Sequence, residues 1–341
     1  MARVALVTGI SRYLGGRMAR ILTDDPSVER VIGVDVVTPT GDIGGADFVR
    51  ADIRNPIISK VIATAEVDTV VHMGVIATPR QAGGRVTMKE INVIGTMQLL
   101  AACQKAPSVS KLVVKSSSSV YGAGPADPAL FTEDMEPRHL PSSGWAKDSV
   151  EVESYVRGLA RRRPDLTVST LRFANFLGPT ANTPMAQYFS LPAIPTVLGF
   201  DARLQFVHED DGLEVIRRAT VEDHPGIYNV AGAGVLALSQ AIRRAGRVQV
   251  PIWSPLVGVV GRVVRRGGFA DFSPEQIRLL THGRALDTTR LTEEFGYQPR
   301  YTTVETFDDF VRARRLNNVL SPELVVGAES VAGRILSGWS A

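Results

Sequence analysis

The sequence predicts an α/β protein built on a doubly wound parallel sheet, with a smaller substrate-binding part toward its C-terminal side. Two observations carry that expectation. Apolar, β-branched runs at residues 4–7, 31–34, 69–71 and 111–114 alternate with helical stretches, a strand–helix–strand rhythm. The first run also breaks into a glycine-bearing turn that opens a helix, and in such sheets a ligand lies at the carboxyl ends of the strands.

The turn after the first strand reads Thr8-Gly9-Ile10-Ser11-Arg12-Tyr13-Leu14-Gly15-Gly16. Its outer glycines stand six apart, and Arg12 occupies the central glycine position of a phosphate loop. The N–H groups of the helix that follows can receive a pyrophosphate. The Arg12 Cβ should crowd that approach, although its guanidinium can clamp a phosphate. Asp35 ends the second strand about 20 residues further on, where an acidic side chain hydrogen-bonds a ribose 2′-hydroxyl and repels a 2′-phosphate. Asp35 therefore favours NAD over NADP; the competing reading is a loop cap.

Later in the chain, Ser142-Ser143-Gly144-Trp145-Ala146-Lys147 reads as a helix start, which would stack Ser143 and Lys147 on one face. Arg161-Arg162-Arg163 before Pro164 suits a solvated helix end favoured by the macrodipole. His72 ends a buried strand and is expected to be neutral and hydrogen-bonded. For His208, Asp210 and Asp211, helix capping by the carboxylates, with the helix running from Gly212, is preferred over a metal site, and no metal is expected. Residues 180–199, with Pro184, Pro192 and Pro195, read as an irregular ligand-facing insertion.

Composition narrows the classes. The 341 residues carry a net charge of +3 with scattered basic residues, which gives no nucleic-acid stripe. The single cysteine, Cys103, excludes an intramolecular disulfide and fits a buried position in a reducing compartment. Met1-Ala2-Arg3 leads straight into a strand, so no signal peptide is expected, and no run reaches the roughly 20 apolar residues of a membrane span. Residues 256–264 suit a core-facing amphipathic helix. A soluble, cytoplasmic protein follows as the expectation.

The motifs, taken in order, resemble those of the extended short-chain dehydrogenase/reductases, in the NAD-dependent epimerase/dehydratase branch that acts on nucleotide sugars. Thr8-Gly9 to Gly15 is similar to TGxxGxxG, Ala51-Asp52-Ile53-Arg54 to the segment whose aspartate reads adenine, and Asn92 to Thr96 to NxxGT. Val71-His72-Met73-Gly74 resembles the strand that ends over the cofactor. Ser116-Ser117-Ser118-Ser119-Val120-Tyr121-Gly122 is similar to SSxxxVYG, Leu171 to Pro179 to LRxxNxxGP, Gln205 to Asp211 to FVHVDD, and Gly226 to Gly232 to GxYNxG. Leu286 to Leu291 with Phe295 to Pro299 suits the closing helix, so the likeness covers roughly residues 2–315.

The resemblance implies a Rossmann cofactor domain over residues 1–175 plus about 205–232, a substrate-binding part over 176–204 plus 233–315, and a tail over 316–341 that suggests a short helix. It implies NAD, a nucleotide-sugar substrate and a homodimer. Gly9, Ile10, Arg12, Tyr13, Leu14, Gly15, Asp35, Asp52, Ile53, Met73, Gly74, Asn92, Ser116 and Lys147 would meet the cofactor. Ser117, Ser118, Asn175, Arg203 and His208 would meet substrate, with Ser117 holding the reacting sugar oxygen. The branch places a tyrosine four residues before its lysine. Here that residue is Ser143, a far weaker acid than a phenol whose reference pKa is about 10. Tyr121, His139 and Tyr155 are the nearby replacements, none of them well aimed. Transient-keto chemistry of the UDP-hexose 4-epimerase type is the leading expectation. A non-catalytic NAD-binding sensor or scaffold is the rival, and a reductase of lipid or steroid ketones, drawing on the apolar run from Ile252 to Val264, is the third.

Overall fold

The computed structural model describes residues 2–74, 76, 83–138, 140–253 and 273–316. His139, most of the 252–264 run and the tail from 317 onward lie outside the described residues. The strands are β1 (Ala2–Thr8), β2 (Val28–Asp35), β3 (Asp47–Arg50), β4 (Thr69–His72), β5 (Lys111–Ser117) and β6 (Thr167–Phe173). They continue with β7 (Asn175–Leu177), β8 (Ala193–Val197), β9 (Arg203–Leu204), β10 (Phe206–His208), β11 (Gly226–Val230), β12 (Leu236–Ala237) and β13 (Val248–Ile252).

Seven of them form one parallel sheet in the order β11-β6-β5-β4-β1-β2-β3. The order in which successive strands are added reverses between β1 and β4, and that switch opens a crevice above their carboxyl ends. Helices Tyr13–Thr23 and Glu209–Val221 cover one face, burying Val7, Met18, Leu22, Phe173 and Val215. Helices Ile57–Thr64, Thr96–Lys105 and Gly144–Arg162 cover the other, with Leu6, Ile62, Leu100, Val114 and Val156. Because both faces are buried, the strands read as continuous apolar runs rather than alternating ones. Cys103 lies in the second of these cores, where burial pushes its thiol up to about 12 and leaves it inert.

A separate aromatic core, with Phe189 and Phe307 edge to face at 4.9 Å between ring centres, supports the smaller part of the molecule. Three short strand pairs frame it, β7 with β10, β8 with β13 and β9 with β12. Here the expectation of an irregular 180–199 insertion is corrected. Pro184 opens the helix Pro184–Phe189, where its missing N–H costs nothing, and Thr183 caps that helix by accepting from the Ala186 N–H at 3.2 Å. Pro195 sits inside β8, which among the described residues has a partner on one side only.

Candidate functional site

β1 delivers the glycine turn to the crevice. Gly9 has φ +72° and donates to the Val34 carbonyl at 2.9 Å, and a Cβ at Gly15 would stand 2.1 Å from the Gly9 oxygen. The helix can start this close to the turn only without that side chain. Arg12, by contrast, is the residue before the helix with φ −86° and ψ 154°, an extended conformation open to any residue, so its replacement of glycine carries no backbone strain. Ile10 is buried in the notch above Gly33, and Leu14 packs on the core, so contact with a dinucleotide would fall to their backbone. Tyr13 turns toward the smaller part, sharing hydrogen bonds with Thr180 at 2.6 Å, with Arg17 at 2.9 Å and with Glu209.

Gly9, Arg12, Asp35, Asp52, Ile53 and Gly74 line one cleft. The Asp35 carboxylate accepts from the Ser11 N–H at 3.2 Å and the Val36 N–H at 2.7 Å, which fixes it against the phosphate turn. Arg54 clasps Asp52 through 3.0 and 2.7 Å bonds that hold its carboxyl below the usual range. Helix N–H groups beside a Cβ-free turn, with an acidic residue ending β2, fit the pyrophosphate and ribose of a dinucleotide. Asn92 is almost fully buried and bonds both backbone groups of Ile76, at 2.8 and 2.9 Å, and Asp148 at 3.2 Å. Its side chain therefore positions the segment after β4, which carries the buried Met73, instead of facing the crevice as expected. His72, bonded to Thr8 at 2.7 Å and Thr96 at 2.8 Å, is pushed down to about 4 by burial and stays neutral.

At the other end of the crevice, adjacent serines of β5 part company. Ser116 donates to Glu153 at 2.5 Å inside a buried network in which Arg172 pairs with Glu153 at 2.7 Å and donates to the Tyr121 hydroxyl at 2.7 Å. That commitment takes the Ser116 side chain away from its expected cofactor contact, and it makes Tyr121 structural. Ser117 accepts from the Ser119 N–H at 3.1 Å, and the Ser119 Oγ is buried with no hydrogen-bond partner among the described residues. Ser143 is the residue before the Gly144–Arg162 helix. Its hydroxyl caps nothing and instead donates to Glu275 at 3.4 Å. One turn on, Lys147 is exposed, and its ammonium has no partner among the described residues. Asp148 beside it is fully buried and gripped by Arg85 through two 2.7 Å bonds, which anchors this helix start.

Three further groups were not anticipated from the sequence. Arg284 donates to Ser118 at 3.2 Å and to the Gly122 carbonyl at 2.6 Å, and burial lowers its pKa to about 10. Together with Arg203, expected at the substrate, it lines a cavity of about 330 Å³. Lys115 shares a face of β5 with Ser117 and lies 5.8 Å over the Phe176 ring, its pKa lowered by burial to about 8. Glu275 belongs to helix Pro274–His282, far away in sequence, and only the charged ends of the apolar run around Lys111 and Lys115 hinted at any of the three. Asn175 begins β7 beyond the end of β6, with a side chain free of hydrogen bonds among the described residues. Tyr155 is exposed on the helix that carries Lys147.

His208 departs from expectation. It is 1% exposed, caps helix Glu209–Val221 by accepting from the Asp210 N–H at 3.2 Å, bonds Asp309 at 3.2 Å and stacks on Tyr301, so no face of the ring is left for a substrate. The helix begins at Glu209 rather than Gly212, and the cap is the histidine rather than the carboxylates. Asp211 instead accepts from the Tyr297 hydroxyl at 2.6 Å and from two backbone N–H groups.

Comparison with known proteins agrees with this geometry. The chain is 47% identical over 341 residues to an uncharacterized protein of Mycobacterium tuberculosis, covering 99% of this chain and 91% of that one. It is 28% identical to a UDP-glucose 4-epimerase of Mycolicibacterium smegmatis, covering 88% and 95% respectively. Among solved structures, the UDP-glucose 4-epimerase of Thermotoga maritima with UDP-glucose has the same fold, with TM-score 0.70, 18% identity and coverage of 92% of this chain and 98% of that one. The UDP-glucuronic acid 4-epimerase of Bacillus cereus, in complex with UDP-glucuronic acid and NAD, gives TM-score 0.70 at 18% identity, covering 92% and 100%. Residues 5–231 match the model of the NAD dependent epimerase/dehydratase family, and the chain belongs to that family.

Proposed function

We propose that this protein binds NAD and acts on a nucleotide sugar, with epimerase or dehydratase chemistry of the UDP-hexose 4-epimerase type passing through a transient ketone. The observation that carries the reading is the single cleft joining Gly9, Arg12, Asp35 and Asp52, beside a crevice edge that bears Ser117 and Lys147. Bound NAD supplies reversible hydride acceptance. Asp35 would hold the adenosine ribose and Lys147 the nicotinamide ribose. Ser117 would orient the reacting hydroxyl, while Asn175, Ser118 and Arg203 would hold the rest of the substrate. The reading includes a homodimer, which sedimentation velocity would detect and which a monomer at micromolar concentration would remove.

The test is mass spectrometry, with chromatography that resolves epimers, of protein and NAD incubated with UDP-, GDP- and dTDP-hexoses. A new epimer, or a product lighter by water and formed without net NADH, is expected. Unchanged sugars in the presence of tight NAD binding would favour the second reading, an NAD-binding sensor or scaffold, which the absence of a phenol at Ser143 supports.

A further inference from the structure

We propose that Glu275, supplied by the smaller part of the molecule, is the proton acceptor that stands in for the missing tyrosine, with Ser143 as its hydrogen-bonded link to the Lys147 helix. The inference rests on the NAD-dependent reading above. Serine is among the strongest helix-capping residues because its oxygen takes an orphan N–H, yet Ser143 leaves that role unfilled and turns its hydroxyl to Glu275 at 3.4 Å. The carboxylate is buried, so it is held in place rather than swinging in solvent. Its helix is fixed from behind by Leu279 and Leu280 in the aromatic core, and from its own start by Ser273, which accepts from the Gln276 N–H at 3.2 Å.

The charge arrangement supports the same conclusion. Arg284 comes from the same part of the chain and feels the charge of Asp127 and, after it, of Glu275, but makes an ion pair within 4.0 Å with neither. Instead the guanidinium reaches Ser118, next to Ser117. A buried carboxylate thus bonds Ser143 and a buried cation bonds Ser118, and among the described residues neither makes the ion pair that burial ordinarily demands. In the forward step the sugar carbinol loses its C–H electron pair as hydride to the nicotinamide and its O–H proton to Glu275. The carbon is oxidised to a ketone, the nicotinamide is reduced, and both hydrogens return in the closing step.

The experiment compares wild type, E275Q, E275D and the double variant S143Y/E275Q. Melting temperature, turnover of the responding nucleotide hexose across pH, and affinities for NAD⁺ and NADH are measured for each. E275Q is expected to melt like wild type, to lose at least about 100-fold in kcat and to lack the acid-side limb of the pH profile. E275D should retain that limb, and S143Y/E275Q should regain at least about tenfold through the phenol. A carboxylate beside the cationic ring also favours NAD⁺ over NADH, so E275Q should lower the NAD⁺-to-NADH affinity ratio by about threefold or more. If no hexose reacts, the sugar reading fails while a lowered ratio still supports Glu275. Turnover of E275Q within about threefold of wild type, or an unchanged ratio where no sugar reacts, overturns the proposal. Failure of wild type to bind either nucleotide overturns this inference and the NAD reading together.

Discussion

The carboxyl edge of the first half and the smaller part of the molecule each line a cavity, but they equip it by different means. The first half works through backbone, with a turn that only Gly9 and Gly15 can form and a helix start whose N–H groups face outward. The smaller part contributes side-chain charge, with Arg203 and Arg284 lining a cavity of their own and Glu275 meeting Ser143, near elements whose anchoring is an aromatic core. Backbone sites are written in closely spaced glycines and are legible in one dimension. Charge brought together by folding carries no local pattern.

Four perturbations would break or sharpen that contrast. The largest stability effect is expected at Arg172→Met, which strands Glu153 in a buried network, and chemical denaturation should show a loss of about 3–5 kcal/mol. Gly15→Ala comes next: its Cβ overlaps the Gly9 oxygen, so about 1–3 kcal/mol of stability should be lost together with NAD binding in calorimetry.

Glu209 supplies a pH-dependent case at the junction between the two regions. Burial pushes its carboxyl up to about 7, and the hydrogen bond it accepts from the Thr180 N–H only partly opposes this. Between the unfolded value near 4.5 and about 7, the folded state keeps a proton that the unfolded state has released. Stability from this group therefore falls as pH rises through that window. Glu209→Gln should remove the fall, gaining roughly 2 kcal/mol at pH 8 relative to pH 5 in paired thermal melts. The smallest effect is expected at Asp35→Ala, where removing the anion that repels a 2′-phosphate should shift preference toward NADP by about tenfold, or about 1.4 kcal/mol, in parallel titrations.

Much of the sheet was legible because its strands are buried on both faces: the runs at 4–7, 31–34, 69–71 and 111–114 all fall within β1, β2, β4 and β5. The phosphate turn, Asp35 and the helix start at Ser143 were legible for the same local reason. Side-chain direction was not. Ser116 and Ser117 are neighbours in one motif, yet the pleat sends Ser116 to Glu153, a partner 37 residues away. His208 was placed by its motif but consumed by a cap and by Asp309, 101 residues on. The order in residues 180–199 escaped notice because proline marks irregularity on average, whereas Pro184 opens a helix and Pro195 lies in a strand that pairs only with β13 among the described residues.

The division of labour is tested most directly by isothermal titration of NAD into wild type, Gly15→Ala and Arg284→Met, with melting curves to confirm folding. The account predicts one NAD per chain for wild type, binding abolished by Gly15→Ala in a folded protein, and binding within about twofold of wild type for Arg284→Met. Equal loss of affinity in the two variants, or wild-type affinity in Gly15→Ala, would contradict it.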